Sequence, residues 1–264
     1  MKKIIQHGYI WIIIAFMYLP ILILSFYSIT DSTMIGSVRG FSLDNYVTLF
    51  TDEGLISMMT GTFTLAIVVA AISTILGTLG AMGAFYSKRG IAKTIDIINE
   101  IPVANADVVT GFSICVFMMV FLNFDKAKFF PLIIAQCALC APFVYLSVLP
   151  RLKMMDPSLY EAALDLGSTP AQGMWRVVIP QIKPGIISGF LTAITLSLDD
   201  YFIATYTKPA SFETISTYVV NATKGSQTKI KTALWALSTV IFLLVIVIVF
   251  VMNIADSDGK EEKG

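Results

Sequence analysis

Charge is what this chain has least of. Of its 264 residues only 14% are charged, the 18 basic and 18 acidic side chains cancel, and there is one histidine. Soluble domains carry about 25% charged residues, so an ordinary water-soluble class is excluded. A net charge of zero offers no electrostatic footprint for nucleic acid. With His7 alone and no zinc-protease motif, metal and triad catalysis have no support, and His7 is assigned no role. The three cysteines, Cys115, Cys137 and Cys140, all fall in apolar stretches. They read as small apolar side chains and not as a disulfide or a metal set. No G-x-x-x-x-G-K-[ST] phosphate loop, internal repeat or separate soluble domain is present.

What the chain has instead is oil: 56% of residues are hydrophobic and the mean hydropathy is +0.79. The excess gathers in six runs, at 8–30, 61–86, 101–122, 129–149, 185–206 and 233–255. Runs of 18 or more apolar residues read as membrane spans, because about 20 helical residues cross a layer of about 30 Å. The expected fold is all-α, one polytopic transmembrane domain of six helices over residues 1–264, since helices satisfy their own backbone groups in lipid. A β-barrel would need short alternating strands instead. Lys2 and Lys3 precede the first run, which is too long for a signal peptide and lacks a small-x-small cleavage site, so a retained helix is expected. Span 2 carries Gly77, Gly80, Ala81, Gly83 and Ala84, which suit close helix packing. Pro20, Pro131 and Pro142 are expected to kink or start helices.

Orientation follows Lys and Arg in the loops. With both termini cytoplasmic, eleven fall inside (Lys2, Lys3, Lys88, Arg89, Lys93, Arg151, Lys153, Arg176, Lys183, Lys260, Lys263) and seven outside (Arg39, Lys126, Lys128, Lys208, Lys224, Lys229, Lys231). The inner segment SKRGIAKTIDIINE reads as a short loop, and the tail DSDGKEEKG as disordered.

The cytoplasmic loop 150–184 holds the segment YEAALDLGSTPAQGMWRVVIP, from Tyr160 to Pro180. Asp156-Pro157 suits a helix start, and Gly167 suits a left-handed C-cap. Ser168 or Thr169 then caps a second helix with Pro170 in its first turn, and Met174, Trp175, Val177 and Val178 form its apolar face. Pro180 and Pro184 are expected to stop it before span 5. The result is a stiff two-helix hairpin with a glycine corner.

This segment resembles the EAA loop of ABC-importer permeases, the binding-protein-dependent inner-membrane components. The family pattern is E-A-A, three residues, G, nine residues, then I-x-L-P. Here stand Glu161-Ala162-Ala163, Gly167, and Val177-Val178-Ile179-Pro180, departing only in Val177 for isoleucine and Ile179 for leucine. The resemblance implies that the loop docks into a cleft of an ATPase subunit. Ala162 and Ala163 would allow close approach, Gly167 the turn, and Glu161 a charge for a basic partner group. Asp165, Ser168, Ile179 and Pro180 complete the implied coupling set. The chain itself would catalyse nothing and hold no cofactor, ATP and Mg residing on the partner ATPase. The implied assembly is a homologous second permease, two ATPase subunits and an extracytoplasmic binding protein in a bacterial inner membrane, with no nucleic acid.

Carboxylates inside the runs are the second signal. Span 5 holds Asp199 and Asp200; span 3 holds Asn105 and Asp107. A charge at a helix centre costs about 2.5–3.5 kcal/mol, so the three acids facing lipid would cost on the order of 8–10 kcal/mol. They are expected to face a wet cavity or a partner. Adjacent helical residues diverge by about 100°, so Asp199 and Asp200 would not share one direction. A negative path suits a cationic cargo. SLDDYFIA and ADVV resemble the second permease of the spermidine/putrescine group, which implies Asp107, Asp199 and Asp200 as polyamine attractors. Asn105 belongs to the same path, with cation–π contact from Tyr201, Tyr46 or Trp11. Lysine or serine partners on the second permease are the competing use of these acids. Other cargo (ferric iron, an opine, another small cation), an intramembrane enzyme and a structural scaffold are the rival functions.

Overall fold

The structure, a computed structural model, describes residues 2–31, 40–123, 128–156, 158–224 and 228–261. Apart from one isolated bridge between Thr30 and Phe41, these residues build helices and connections. The elements are α1 (Lys2–Ser28), α2 (Asp44–Thr51), α3 (Glu53–Tyr86), α4 (Arg89–Ala104), α5 (Asp107–Val116, continued by a π-turn at Phe117–Phe121), α6 (Phe130–Met154), α7 (Ser158–Asp165), α8 (Pro170–Gly173, continued by a π-turn at Met174–Val178), α9 (Ile179–Asp199), α10 (Phe202–Thr207), α11 (Ile215–Lys224) and α12 (Thr228–Glu261). Arg39 and Lys126 lie outside the described residues, as does Pro157 of the expected Asp156-Pro157 start.

Five stretches are long and apolar enough to cross a membrane: Trp11–Ser28, Glu53–Tyr86, Phe130–Met154, Pro170–Asp199 and Thr232–Phe250. The remaining expected span, the third, is broken. Arg89–Ala104 and Asp107–Phe121 meet at 107° and pass the same test only together. SKRGIAKTIDIINE is therefore largely helix, not loop: Ile95, Asp96, Asn99 and Pro102 of α4 are half-buried, while Ile91, Ile97, Ile98 and Ile101 stay exposed. The tail departs from expectation too. Once a span has nucleated a helix, propagation is cheap, and α12 runs on through DSDGKE to Glu261.

Contacts gather in two compact units. The first comprises Met1–Met59 and Tyr218–Val247. Within it Tyr27 packs on Trp235 and Tyr18 on Phe242, with ring centroids 5.6 and 6.3 Å apart. Asn45 ties α2 to the end of α1 by donating to the carbonyls of Ser28 (3.1 Å) and Thr30 (3.3 Å).

The second unit comprises Thr60–Thr217 and Ile248–Gly264. Its core surrounds α6, on which α4, α5, α9 and α10 pack. Pro131 starts α6, whereas Pro142 and Pro150 lie within it. Glycine brings α3 and α9 close to α6. A Cβ on Gly77 of α3 would lie 2.7 Å from the Ala141 carbonyl oxygen, and one on Gly185 of α9 would lie 2.7 Å from Arg151 Cγ. Cys115, Cys137 and Cys140 are buried and free, as expected of small apolar side chains.

Candidate functional site

Two spans of the second unit are interrupted. α4 gives way to α5 at Asn105 and Ala106, both in extended conformation. α9 ends at Asp199, Asp200 is extended, and α10 begins at Phe202. Span 5 is thus not one helix over 185–206, and the ~100° argument for Asp199 and Asp200 does not apply. The four free N–H groups of a helix start attract acidic side chains, and Asp107 and Asp200 stand where α5 and α10 start.

The two half-helices lie side by side. A Cβ on Gly111 would come within 3.0 Å of Ile203 Cα, the Cys115 thiol donates to the Tyr206 carbonyl at 3.2 Å, and the rings of Phe112 and Tyr206 are 5.7 Å apart. Position 111 therefore matches 203 and 115 matches 206, a parallel register. One turn earlier it carries Asp107 to the level of Asp199 and Asp200.

The three acids differ in surroundings. Asp200 is 8% exposed. Its Oδ1 accepts from the Ile203 N–H (2.9 Å), and its Oδ2 from the Ala204 N–H (3.0 Å) and from Gln136 Nε2 (2.9 Å). It is a helix cap, with both oxygens engaged. Asp199 and Asp107 are exposed. Asn105 is exposed too and donates to Thr110 Oγ1 at 3.0 Å, bracing the α4–α5 break. Tyr201 is half-buried beside Phe202. Tyr46 belongs to the first unit, where its hydroxyl pairs with Ser28 Oγ at 2.9 Å, and Trp11 is an exposed residue of α1.

Gln136 and Ser216 escaped the sequence reading. Gln136 lies within the apolar run LIIAQCALC, fully buried, and its Oε1 accepts from Ser197 Oγ at 2.8 Å. The one available signal was an amide inside a span, where a polar group must find partners. Ser216 donates at 2.7 Å to the Leu198 carbonyl, one of those the break leaves free.

The hairpin at 156–180 follows expectation in its corner. Asp156 Oδ1 accepts from the Ser158 N–H at 2.9 Å, which holds this carboxyl below its ordinary value. Gly167 has φ +88°; its N–H bonds to Leu164 O (2.9 Å) and the Ser168 N–H to Ala163 O (3.1 Å), the paired bonds of a Schellman turn. Between the two candidate caps the structure selects Thr169. Its hydroxyl accepts from the Gln172 N–H at 3.3 Å while Gln172 Oε1 accepts from the Thr169 N–H at 3.1 Å, a capping box. The expected stop at Pro180 and Pro184 is absent, for Pro170–Asp199 runs as one stretch. The π-turn bonds the Ile179 N–H to Met174 O, and Pro180, which has no N–H to place, follows it in the first turn of α9. The hairpin's second helix is therefore continuous with span 5. Glu161, Ala162, Asp165, Leu166 and Trp175 are exposed; Leu166 keeps 88% and Trp175 71% of its surface free. A 780 Å³ apolar groove lies beneath, between Ile75 and Leu79 of α3, Tyr160 of α7, and Trp175, Ile179 and Ile186.

A family model described as "Binding-protein-dependent transport system inner membrane component" matches residues 77–257. The chain is 32% identical over 221 residues to the putrescine transport system permease protein PotI of Escherichia coli, covering 79% of this chain and 76% of that one. It is 28% identical over 249 residues to the spermidine/putrescine transport system permease protein PotC of Haemophilus influenzae, covering 92% and 94%. Among solved structures, a chain of a bacterial ABC transporter that imports the polysaccharide alginate superposes with a TM-score of 0.68 at 20% identity, covering 100% of this chain and 96% of that one. An amino acid ABC transporter chain gives 0.56 at 16%, covering 80% and 94%.

Proposed function

The chain belongs to the binding-protein-dependent transport system inner membrane component family, and we propose that it is the permease subunit of an ABC importer that passes polyamines. Its relatives are named for putrescine and spermidine. The observation that carries the cargo reading is the pair of helix breaks, which brings Asp107, Asp199 and Asp200 to one level. Asp200 serves the fold, as the cap of α10. Asp199 and Asp107 are the exposed carboxylates left to meet an ammonium group, with Asn105 and Tyr201 beside them. Tyr46 belongs to the first unit and is given no part in this path.

The hairpin is the ATPase-coupling element. Glu161, Ala162 and Asp165 present its exposed face and Leu166 its apolar tip, while Ala163, Gly167 and Ser168 form the corner. Ile179 and Pro180 join it to α9 without a joint, so a push on the hairpin moves the helix that ends at Asp199. ATP and Mg belong to two partner ATPase subunits, and this chain needs no cofactor of its own. A homologous permease and an extracytoplasmic binding protein complete the assembly, with both termini cytoplasmic in a bacterial inner membrane.

The test is uptake of labelled putrescine by vesicles holding this chain with its ATPase and partner permease. Asp199→Asn and Asp107→Asn are expected to raise the KM for uptake, with ATP hydrolysis by the complex retained. An unchanged KM in both variants overturns the cargo path.

A further inference from the structure

Asp199 and Asp200 are the same residue type at adjacent positions, yet one faces out and the other is buried. The local backbone offers Asp200 the N–H groups of Ile203 and Ala204. What holds it from the far side is Gln136 on α6, a helix not interrupted at this level. The amide of Gln136 touches both sides of the break. It accepts from Ser197 two residues before Asp199 and donates to Asp200 just after it.

We infer that Gln136 is a positioning residue that decides how many carboxylates face the cargo, and so which ammonium ions are preferred. The inference rests on the acid-lined path proposed above. A buried amide of this kind costs stability unless its donor and acceptor are both used, and here each is. With Gln136 in place Asp200 is committed to the α10 cap, and Asp199 with Asp107 makes the exposed negative charge. Without the Gln136 N–H, Asp200 Oδ2 loses the one partner that is not part of its own turn. The break then opens, Asp200 turns out beside Asp199, and the path gains a unit of negative charge. More negative charge favours a triamine over a diamine.

The experiment compares uptake of spermidine, a triamine, with that of putrescine, a diamine, by vesicles holding the complete transporter. Gln136→Met keeps the length of the side chain and removes its hydrogen bonds. The ratio of Vmax/KM for spermidine over putrescine is expected to rise about tenfold, the scale of one hydrogen bond to a charged group. In an Asp200→Asn background, where no charge can be released, Gln136→Met is expected to leave the ratio unchanged. A merely structural role would lower Vmax for both cargoes together and leave the ratio alone. Should Gln136→Met fail to assemble, Gln136→Asn keeps an amide but draws it back by one methylene from Asp200, and is expected to shift the ratio in the same direction. An unmoved ratio in the variant that assembles, or a shift that persists with Asp200→Asn, overturns the inference. If Asp199→Asn raises the KM while the Gln136 variant leaves the ratio alone, only this inference fails. If Asp199→Asn and Asp107→Asn both leave the KM unchanged, the cargo reading itself has failed.

Discussion

At Gly77 there is no room for a methyl group. A Cβ there would meet a backbone carbonyl and the Val144 Cβ, each at 2.7 Å, and neither is a flexible chain end. Gly77→Val is expected to force α3 away from α6 and cost about 1–3 kcal/mol, read as a lowered midpoint in thermal unfolding of the detergent-solubilised protein. Gly83→Ala on the same helix, with nothing within 4 Å of its Cβ, is expected not to lower that midpoint, since alanine is the better helix former. The adjacent acids make a second contrast. Asp200→Asn replaces one of the two accepting oxygens by an NH2 group, which then faces the N–H of Ile203 or of Ala204, and is expected to destabilise by about 1–3 kcal/mol. Asp199→Asn, exposed, is expected to leave the unfolding midpoint within error while weakening uptake. Sequence alone ranked these two residues equally, because the hydrogen bonds that separate them come from α6 and α10.

The hairpin is where an element's geometry carries the argument. At φ +88° Gly167 occupies the left-handed region, where a side chain costs about 1–2 kcal/mol. Gly167→Ala is expected to loosen the corner and lower the uptake obtained per ATP hydrolysed, and Gly167→Pro, whose ring demands a negative φ, to abolish it. Both ratios are measured on the reconstituted transporter. Uptake per ATP that is normal in Gly167→Pro would sink the coupling role. Acid acts at the other end of the hairpin. The Asp156 carboxyl is depressed by the Ser158 N–H, so its contribution is present above the unfolded value of about 3.9 and is lost as pH falls through the lower folded value. Protection of the amides at the start of α7 from exchange, relative to the unfolded chain, is therefore expected to be insensitive to this group between pH 6 and pH 8 and to fall only below about pH 4. The corner glycine was legible from spacing, but Ser168 and Thr169 stayed equal as caps until the structure showed Gln172 closing a capping box on Thr169. The missing joint at Pro180 was not legible. A π-turn is a matter of hydrogen-bond register, and no residue type announces one.

On the scale of the whole molecule, the arrangement of sides is open to direct measurement. The native cysteines are buried, so background labelling by a membrane-impermeant maleimide is expected to be low. Leu166→Cys and Ser211→Cys place exposed thiols in the hairpin and in the connection after α10. Leu166→Cys is expected to label from the cytoplasmic face only, and less when the ATPase subunits are bound. Ser211→Cys is expected to label only from the opposite face. Labelling of both from one face would refute the orientation.

Hydrophobic run length, which depends only on the thickness of lipid and the rise of a helix, determined by itself that this is an all-α multi-pass protein, and residue spacing picked out the hairpin. Neither located the two breaks. Spans 3 and 5 read as continuous because each is apolar enough to cross a membrane whether or not its helix is interrupted. The break in span 5 is held by groups far away in the chain: Ser216 donates to the Leu198 carbonyl that the break leaves free, and Gln136 holds the Asp200 side chain that caps α10. The α5–α10 packing that sets Asp107 level with Asp199 likewise joins positions some ninety residues apart. Those pairings belong to tertiary structure, because a buried polar group is stable only beside the particular partner that folding brings to it.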